Sequence, residues 1–147
     1  MSLFPLAFTV AVLAMLWTYV SPLIGLLTWP AFVGWAIYFI AGGEARSIVK
    51  GGAPLLLGIL LAWCAVQVGS GFEAFGIPLA VGVIAFAMVM LANVGLFALI
   101  PAQFIGAAVF FGTGADLPAT LISMALGLAL GLLSTTISGL ATRSKAH

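Results

Sequence analysis

Residues 32–44 read FVGWAIYFIAGGE, and residues 104–116 read FIGAAVFFGTGAD, 72 positions later. Both segments begin with Phe, carry a Gly two positions on, and close on an acidic residue. A second pair, PLAFTVAVLAM at 5–15 and PLAVGVIAFAM at 78–88, matches at an offset of 73. The two matches predict that the chain consists of two related halves.

The composition indicates a membrane protein. Hydrophobic residues make up 65% of the 147 residues and charged residues only 5%, whereas soluble domains carry roughly 25% charge. A helix that spans the hydrocarbon core needs about 20 apolar residues. The apolar runs cover 3–20, 23–41, 48–68, 75–97, 100–112 and 117–141. We therefore expect a single membrane domain over 1–147, all-α and polytopic, with six transmembrane helices, the second and fifth short or broken.

The halves predict an inverted repeat. They cover about 3–70 and 75–141, and the third runs also pair, Leu57-Gly58 with Leu126-Gly127. Each half contains three runs, and three crossings leave the chain on the opposite side of the membrane. The second half would then enter from that side, as in inverted-topology transport proteins.

The basic residues fix the expected orientation. Arg46 and Lys50 follow the second run, and Arg143 and Lys145 follow the sixth. The positive-inside rule then places both clusters and both termini in the cytoplasm. If runs two and five only dipped into the membrane and returned, Arg46 and Lys50 would lie outside. Crossing helices are therefore favoured over re-entrant ones.

The scarcity of charge excludes several function classes. No Asp, Glu, Lys, Arg or His lies well inside an apolar run. Ionisable residues at such depth usually mark proton relays or charged-substrate pathways, so a proton-coupled pump or a charged-substrate carrier is disfavoured. The sequence also offers no acid–base pair or metal cluster, so we expect no enzyme, no cofactor and no metal. The formal net charge of +1 provides no patch for nucleic acid.

Matching short segments predict a pathway. In inverted-repeat proteins the site is often flagged by Gly- or Pro-interrupted segments at corresponding positions. Two phenylalanines would constrict the path, and two amides would offer hydrogen bonds to a solute; the competing interpretation is that the amides only bridge helices. The predicted pathway residues are Phe32, Gly34, Asn93, Pro101, Gln103, Phe104 and Gly106.

The sixth run carries a stripe of small residues that predicts close helix packing. Whether the partner helix is internal or belongs to another subunit is left open. Since one subunit is small, we expect a homo-oligomer, with this stripe as a candidate contact. The stripe, spaced every four residues, consists of Ser123, Gly127, Gly131, Thr135 and Gly139.

The segments LTWPAFVGWAIYF (27–39), IPAQFIGAAVFFGTGADL (100–117) and SMALGLALG (123–131) carry a family resemblance. In them the chain resembles the YcdZ-like small bacterial inner-membrane proteins, which are grouped by a domain of unknown function. The resemblance implies a bacterial inner-membrane location but no established substrate or catalytic residue. The three-plus-three plan is similar to aquaporins and formate channels only in architecture, which does not establish function.

The leading hypothesis is a passive channel or facilitator for a small uncharged polar solute, such as urea, a small amide or ammonia. The path would lie at the interface of the two inverted repeats. The alternatives are a small-ion (anion) channel and a non-catalytic membrane subunit that packs against a partner protein. The expected partners are the lipid bilayer, the solute and further copies of the chain.

Overall fold

The computed structural model describes residues 3–72 and 74–143. Those residues form six α-helices and one 3₁₀ turn, with no β-strand among them, so the expectation of an all-α chain is confirmed. The elements are α1 (Phe4–Leu23), α2 (Thr28–Ile40), α3 (Ser47–Gly69), α4 (Gly76–Leu91), the 3₁₀ turn Gly95–Phe97, α5 (Ile100–Gly112) and α6 (Leu117–Arg143).

Three of the described helices are long and apolar enough to cross a bilayer: Phe4–Leu23, Ser47–Gly69 and Leu117–Ala141. The helices α2 and α5 have 13 residues each, about 20 Å of helix against a hydrocarbon core of about 30 Å. Their shortness agrees with the sequence-based expectation for the second and fifth runs. That all six helices cross the membrane completely, and that the second half is inverted relative to the first, remain predictions.

The fourth helix is shorter than its apolar run. The run covers 75–97, yet α4 ends at Leu91 after 16 residues. Residues 92–99 then form an irregular segment whose only regular element is the 3₁₀ turn. At the repeat offset of 73, the last turn of α1 corresponds to residues 92–96. The second half is therefore unwound where the first half is still helical.

The chain forms two compact units that do not coincide with the predicted repeats. Unit 1 combines the chain up to Ile48 with the chain from Ser123 onward, and unit 2 runs from Val49 to Ile122. Unit 1 thus contains α1, α2 and most of α6, whereas unit 2 contains most of α3 with α4 and α5. The third helix of the first predicted repeat, α3, therefore lies mainly in the unit that contains α4 and α5. The third helix of the second repeat, α6, lies mainly in the unit that contains α1 and α2.

The short helices α2 and α5 bury the same face. Every buried position of α2 has a buried counterpart 72 residues later in α5. This agreement extends to positions where the residue types differ. The six pairs are Pro30 and Ala102, Ala31 and Gln103, Gly34 and Gly106, Trp35 and Ala107, Ile37 and Val109, and Tyr38 and Phe110.

Both short helices also end in the same turn. The Gly43 N–H donates to the Tyr38 carbonyl at 3.1 Å, and the Ala115 N–H donates to the Phe110 carbonyl at 3.0 Å. These are the long-range bonds of a Schellman motif. The backbone is left-handed at both donors, with φ of 68° at Gly43 and 62° at Ala115. A Cβ makes this conformation cost about 1–2 kcal/mol, so Ala115 is strained where Gly43 is not.

We expect Ala115→Gly to raise the free energy of unfolding by up to about 1 kcal/mol, because it relieves the left-handed strain at some cost in chain entropy. Gly43→Ala should lower it by about 1 kcal/mol, because it introduces the same strain. A Cβ at Gly43 would lie 3.4 Å from the Phe39 ring, which is an ordinary van der Waals contact. Thermal unfolding of the purified protein in detergent, followed by circular dichroism, measures both changes. Shifts of the same sign in the two variants would contradict this account.

Candidate functional site

Within unit 1, α2 and α6 meet backbone to backbone. A Cβ placed on Gly34 would lie 2.5 Å from the Met124 carbonyl oxygen, and one on Gly127 would overlap the Ala31 carbonyl oxygen. Neither position therefore accommodates a larger residue without a shift of a helix. Such close approach is what small residues allow between helices in lipid, where dispersion and hydrogen bonds replace the hydrophobic effect.

Unit 2 contains the corresponding contact between α3 and α5. A Cβ on Gly106 would overlap the Leu55 carbonyl oxygen, and one on Gly58 would overlap the Gln103 carbonyl oxygen. Gly106 follows Gly34 by 72 positions, and Gly58 precedes Gly127 by 69. Each of the four contacts thus has its counterpart in the other unit.

These contacts locate two of the predicted pathway residues. Gly34 and Gly106 are buried and face the backbone of a neighbouring helix. Their predicted place in a pathway remains a prediction, and the role that their geometry gives them is close helix packing.

The stripe on α6 packs largely within its own chain. A Cβ on Gly131 would lie 2.6 Å from the Tyr38 ring, and the Tyr38 hydroxyl shares a hydrogen bond of 2.7 Å with Thr135 Oγ1. Gly127, Gly131 and Thr135 therefore contact α2 of the same chain, so this face of the stripe is already occupied. Ser123 is buried with an unpartnered hydroxyl, and nothing lies within 4 Å of a Cβ on Gly139. The central part of the stripe therefore packs against α2 of the same chain, and the stripe as a contact between subunits remains a prediction.

A second polar contact between these helices was not predicted. The Trp35 indole N–H donates to Ser134 Oγ at 3.3 Å, and Ser134 Oγ donates to the Gly131 carbonyl at 2.7 Å. Ser134 lies next to the stripe on α6. The signal was the run Ser134-Thr135-Thr136 in an otherwise apolar helix, but a single helix does not reveal which aromatic side chain its hydroxyls will meet.

Gln103 is the most unusual polar residue of the site. Its side chain is completely buried, and its Nε2 donates to the Phe97 carbonyl at 2.7 Å. The amide therefore ties the 3₁₀ turn to the first turn of α5. Its Oε1 is buried without a hydrogen-bond partner, and an unsatisfied buried acceptor costs about 1–3 kcal/mol. Ala31 stands at the equivalent position of α2, so this polar group belongs to one half only.

The irregular segment 92–99 also contains Asn93. Asn93 is exposed, and its Nδ2 donates to the Met90 carbonyl at 2.9 Å, which satisfies one of the last carbonyls of α4. Pro101 lies at the first turn of α5, where a missing N–H costs nothing. The structure thus places Asn93 at the start of the irregular segment 92–99 and Gln103 in the helix that follows it.

The two predicted constriction residues lie on equivalent faces of their helices. Phe32 on α2 is 36% exposed and Phe104 on α5 is 43% exposed. The Phe32 ring stacks on Trp35 in the same helix, with 6.2 Å between ring centroids and 4° between the planes. Phe32 belongs to unit 1 and Phe104 to unit 2, and their joint role as a constriction remains a prediction.

Among the described residues, no three His, Cys, Asp or Glu side chains stand close enough to hold a metal ion. The loop carboxylate Asp116 has a structural role: its Oδ1 accepts the Ala119 N–H at 2.9 Å and caps the start of α6. The polar chemistry of the site therefore rests on the amides and hydroxyls already described.

A family model described as "Protein of unknown function (DUF1097)" matches residues 7–139. The chain belongs to this family. The chain is 33% identical over 134 residues to Inner membrane protein YcdZ of Escherichia coli (strain K12), a match that covers 88% of this chain and 81% of the relative. It is 30% identical over 134 residues to Inner membrane protein YcdZ of Salmonella typhimurium (strain LT2), with coverages of 88% and 82%. The family resemblance noted in the sequence is therefore confirmed.

No solved structure matches the chain. The two relatives are inner membrane proteins by name, and the described helices of this chain are apolar. Together they indicate a helical membrane protein in contact with the lipid bilayer.

We expect Gly127→Ala to lower the free energy of unfolding by about 1–3 kcal/mol, because the added methyl group overpacks the contact with Ala31. Gly139→Ala, in the same helix and the same stripe, should be neutral or stabilising by up to about 1 kcal/mol, since alanine favours helix and nothing obstructs it. Denaturation in sodium dodecyl sulfate, followed by tryptophan fluorescence, compares the two. Equal losses in both variants would show that the Ala31 contact is not what makes Gly127 necessary.

Proposed function

We propose that this protein is a passive channel or facilitator for a small uncharged polar solute of the urea, small-amide or ammonia type. The proposal includes six membrane-spanning helices in two inverted repeats, with both termini in the cytoplasm of a bacterium. The observation that carries it is the buried, unpartnered Oε1 of Gln103.

The chemistry of Gln103 favours a solute with N–H groups. One N–H of its amide group donates to the Phe97 carbonyl, and its Oε1 has no partner among the described residues, so the side chain offers an acceptor oxygen. Urea, small amides and ammonia all present N–H donors that such an oxygen accepts. Selection by a few lining acceptors is how pores discriminate among neutral solutes.

The distribution of charge favours an uncharged solute. Among the described helices, charged residues occur only at Lys50, in the first turn of α3, and at Arg143, which ends α6. A charged solute at membrane depth would lack the counter-charge that ionisable residues supply in transporters of ions. A neutral solute needs only hydrogen bonds.

The irregular segment 92–99 supports access by water or solute. Non-helical backbone at membrane depth is tolerated where protein buries it or water reaches it. Residues 93–96 are exposed, and Gln103 anchors the segment through Phe97. Because residues 19–23, the equivalents of residues 92–96, are helical, the unwinding of 92–96 is specific to the half that carries the buried amide.

The equivalent buried faces, turns and glycine contacts support two related halves. Inversion is supported by the odd number of helices in each half and by the basic residues Arg46 and Arg143, which follow the second and sixth runs. A homo-oligomer remains part of the proposal. Its contact would use surfaces that are free within one chain, such as α1, in whose membrane-length window only 11% of residues are buried.

Solute flux in proteoliposomes tests the proposal. Stopped-flow light scattering would compare urea, formamide and glycerol for the wild type, Gln103→Met and Gln67→Met. We expect wild-type vesicles to swell faster than empty vesicles in urea and formamide. Gln103→Met should lose about tenfold in rate, the equivalent of one hydrogen bond of about 1.4 kcal/mol. Gln67→Met makes the same chemical change at an exposed position of α3 and should keep the wild-type rate.

Phe104→Trp provides a second variant, because the partly exposed Phe104 can be enlarged without disturbing a buried contact. Its flux should fall if the side chain narrows the path. Swelling no faster than in empty vesicles for every solute would overturn the proposal. Steady current in planar bilayers would then favour the ion channel, and co-purification with one stoichiometric protein would favour the membrane subunit.

A further inference from the structure

A solute cannot reach the amide of Gln103 in this conformation, because the side chain is completely buried. Binding there requires a neighbouring element of unit 2 to move. The backbone of Gln103 packs against α3, where a Cβ on Gly58 would overlap the Gln103 carbonyl oxygen. Its amide meets the Phe97 carbonyl, 2.7 Å from Nε2. Since opening the first contact would separate two helices, the contact with Phe97 is the one that can open alone.

The 3₁₀ turn Gly95–Phe97 is held weakly. None of its three residues is buried, and a Cβ on Gly95 would meet open space. Its described backbone hydrogen bonds stay inside the irregular segment 92–99, from the Phe97 N–H to the Val94 carbonyl at 2.8 Å and from the Ala98 N–H to the Gly95 carbonyl at 3.4 Å. Among the described residues, the bond from Gln103 alone ties the turn to a helix. Segments with few buried contacts are those that open at low free-energy cost.

The corresponding connection in the first half is tied more firmly. There the Trp17 indole N–H donates to the Thr28 carbonyl at 3.0 Å. The hydroxyls of Ser21 and Thr28 share a hydrogen bond of 2.6 Å, and the Leu26 N–H donates to the Ser21 carbonyl at 2.9 Å. These bonds join the last turns of α1 to the start of α2 and to the residues between them. The weakly tied connection therefore belongs to the half that carries Gln103.

The amide of Gln103 has a definite chemical complement. A glutamine amide has two N–H donors and one acceptor oxygen; here Phe97 takes one N–H, and Oε1 has no partner among the described residues. With the turn withdrawn, Oε1 and a neighbouring N–H form an edge that accepts one hydrogen bond and donates another. The carbonyl and N–H of a primary amide or of urea match this edge. The released Phe97 carbonyl belongs to an unburied residue, where water replaces the lost donor.

We propose that the 3₁₀ turn Gly95–Phe97 is a lid over Gln103, and that a solute with a primary amide or urea group holds it open by taking the place of the Phe97 carbonyl. The inference rests on the proposed function for its class of solute, and adds the movement that admits the solute. A ligand shifts such an equilibrium by binding one state more tightly than the other. The closed lid buries the amide, so the solute binds the open state.

Two spin labels within unit 2 measure the movement of the lid. One is attached to the native Cys64, which is exposed on α3, and the other to the variant Leu96→Cys, at an exposed position of the turn. Double electron–electron resonance on the full-length protein in proteoliposomes gives the distance between them. A reference pair, Cys64 with Val83→Cys, joins α3 to an exposed position of α4 and leaves the lid out.

Formamide and urea should raise the population of an open distance about threefold. N,N-Dimethylformamide keeps the carbonyl but has no N–H, and it should leave the population unchanged. In Gln103→Met the open distance should be present without solute and should not respond to formamide. Gln67→Met makes the same chemical change at an exposed position outside the lid and should respond like the wild type. The reference pair should keep one distance in every sample.

A distance that responds to neither formamide nor urea would overturn the inference, as would an equal response to N,N-dimethylformamide. These two outcomes are read with Gln103 in place, so they do not depend on the folding of Gln103→Met. The failure of the lid and the failure of the channel are distinguishable. Solute flux with an unchanged label distance would refute the lid and leave the channel. A lid that opens with formamide in vesicles that pass no solute would refute the channel and leave the amide site at Gln103.

Discussion

The arrangement of the helices depends on two backbone contacts, Gly127 with Ala31 and Gly58 with Gln103. Lipid chains are as apolar as the helix surfaces, so helices associate in a bilayer through dispersion and hydrogen bonds. Both interactions require short distances, which a Cβ at either glycine would prevent. Once α2 and α6 are this close, the hydroxyls of Ser134 and Thr135 come within hydrogen-bonding range of two aromatic side chains. The polar contacts are thus a consequence of the glycines.

The same contact serves a different purpose in unit 2. At the position of Ala31, α5 carries Gln103, whose backbone packs against Gly58 while its amide holds the 3₁₀ turn. A glycine contact thus places a glutamine side chain inside the protein with one hydrogen-bonding atom left over. The two halves share their framework and differ in polar content. That difference is where a function that involves a polar solute would be located.

Much of this framework follows from the sequence. The match between 32–44 and 104–116 predicted two similar short helices. The buried positions of α2 correspond one by one to those of α5, and both helices end in the same turn. The partner of the α6 stripe was not predictable, because a period of four residues defines a helix face but not the helix that meets it. The end of α4 at Leu91 was also missed. Hydropathy continues to Phe97, and the choice between helix and irregular backbone there depends on tertiary hydrogen bonds such as that of Gln103.

The division of the helices between the units also determines an order of assembly. Unit 2 is continuous, so α3, α4 and α5 have their partners as soon as residue 122 has been synthesised. Unit 1 is interrupted, and the buried face of α2 has no Gly127 to meet until α6 has been synthesised. The contact between α2 and α6 can therefore form only after the middle of the protein has been synthesised. Of the two sets of glycine contacts, the one in unit 1 is thus the last that the growing chain can complete.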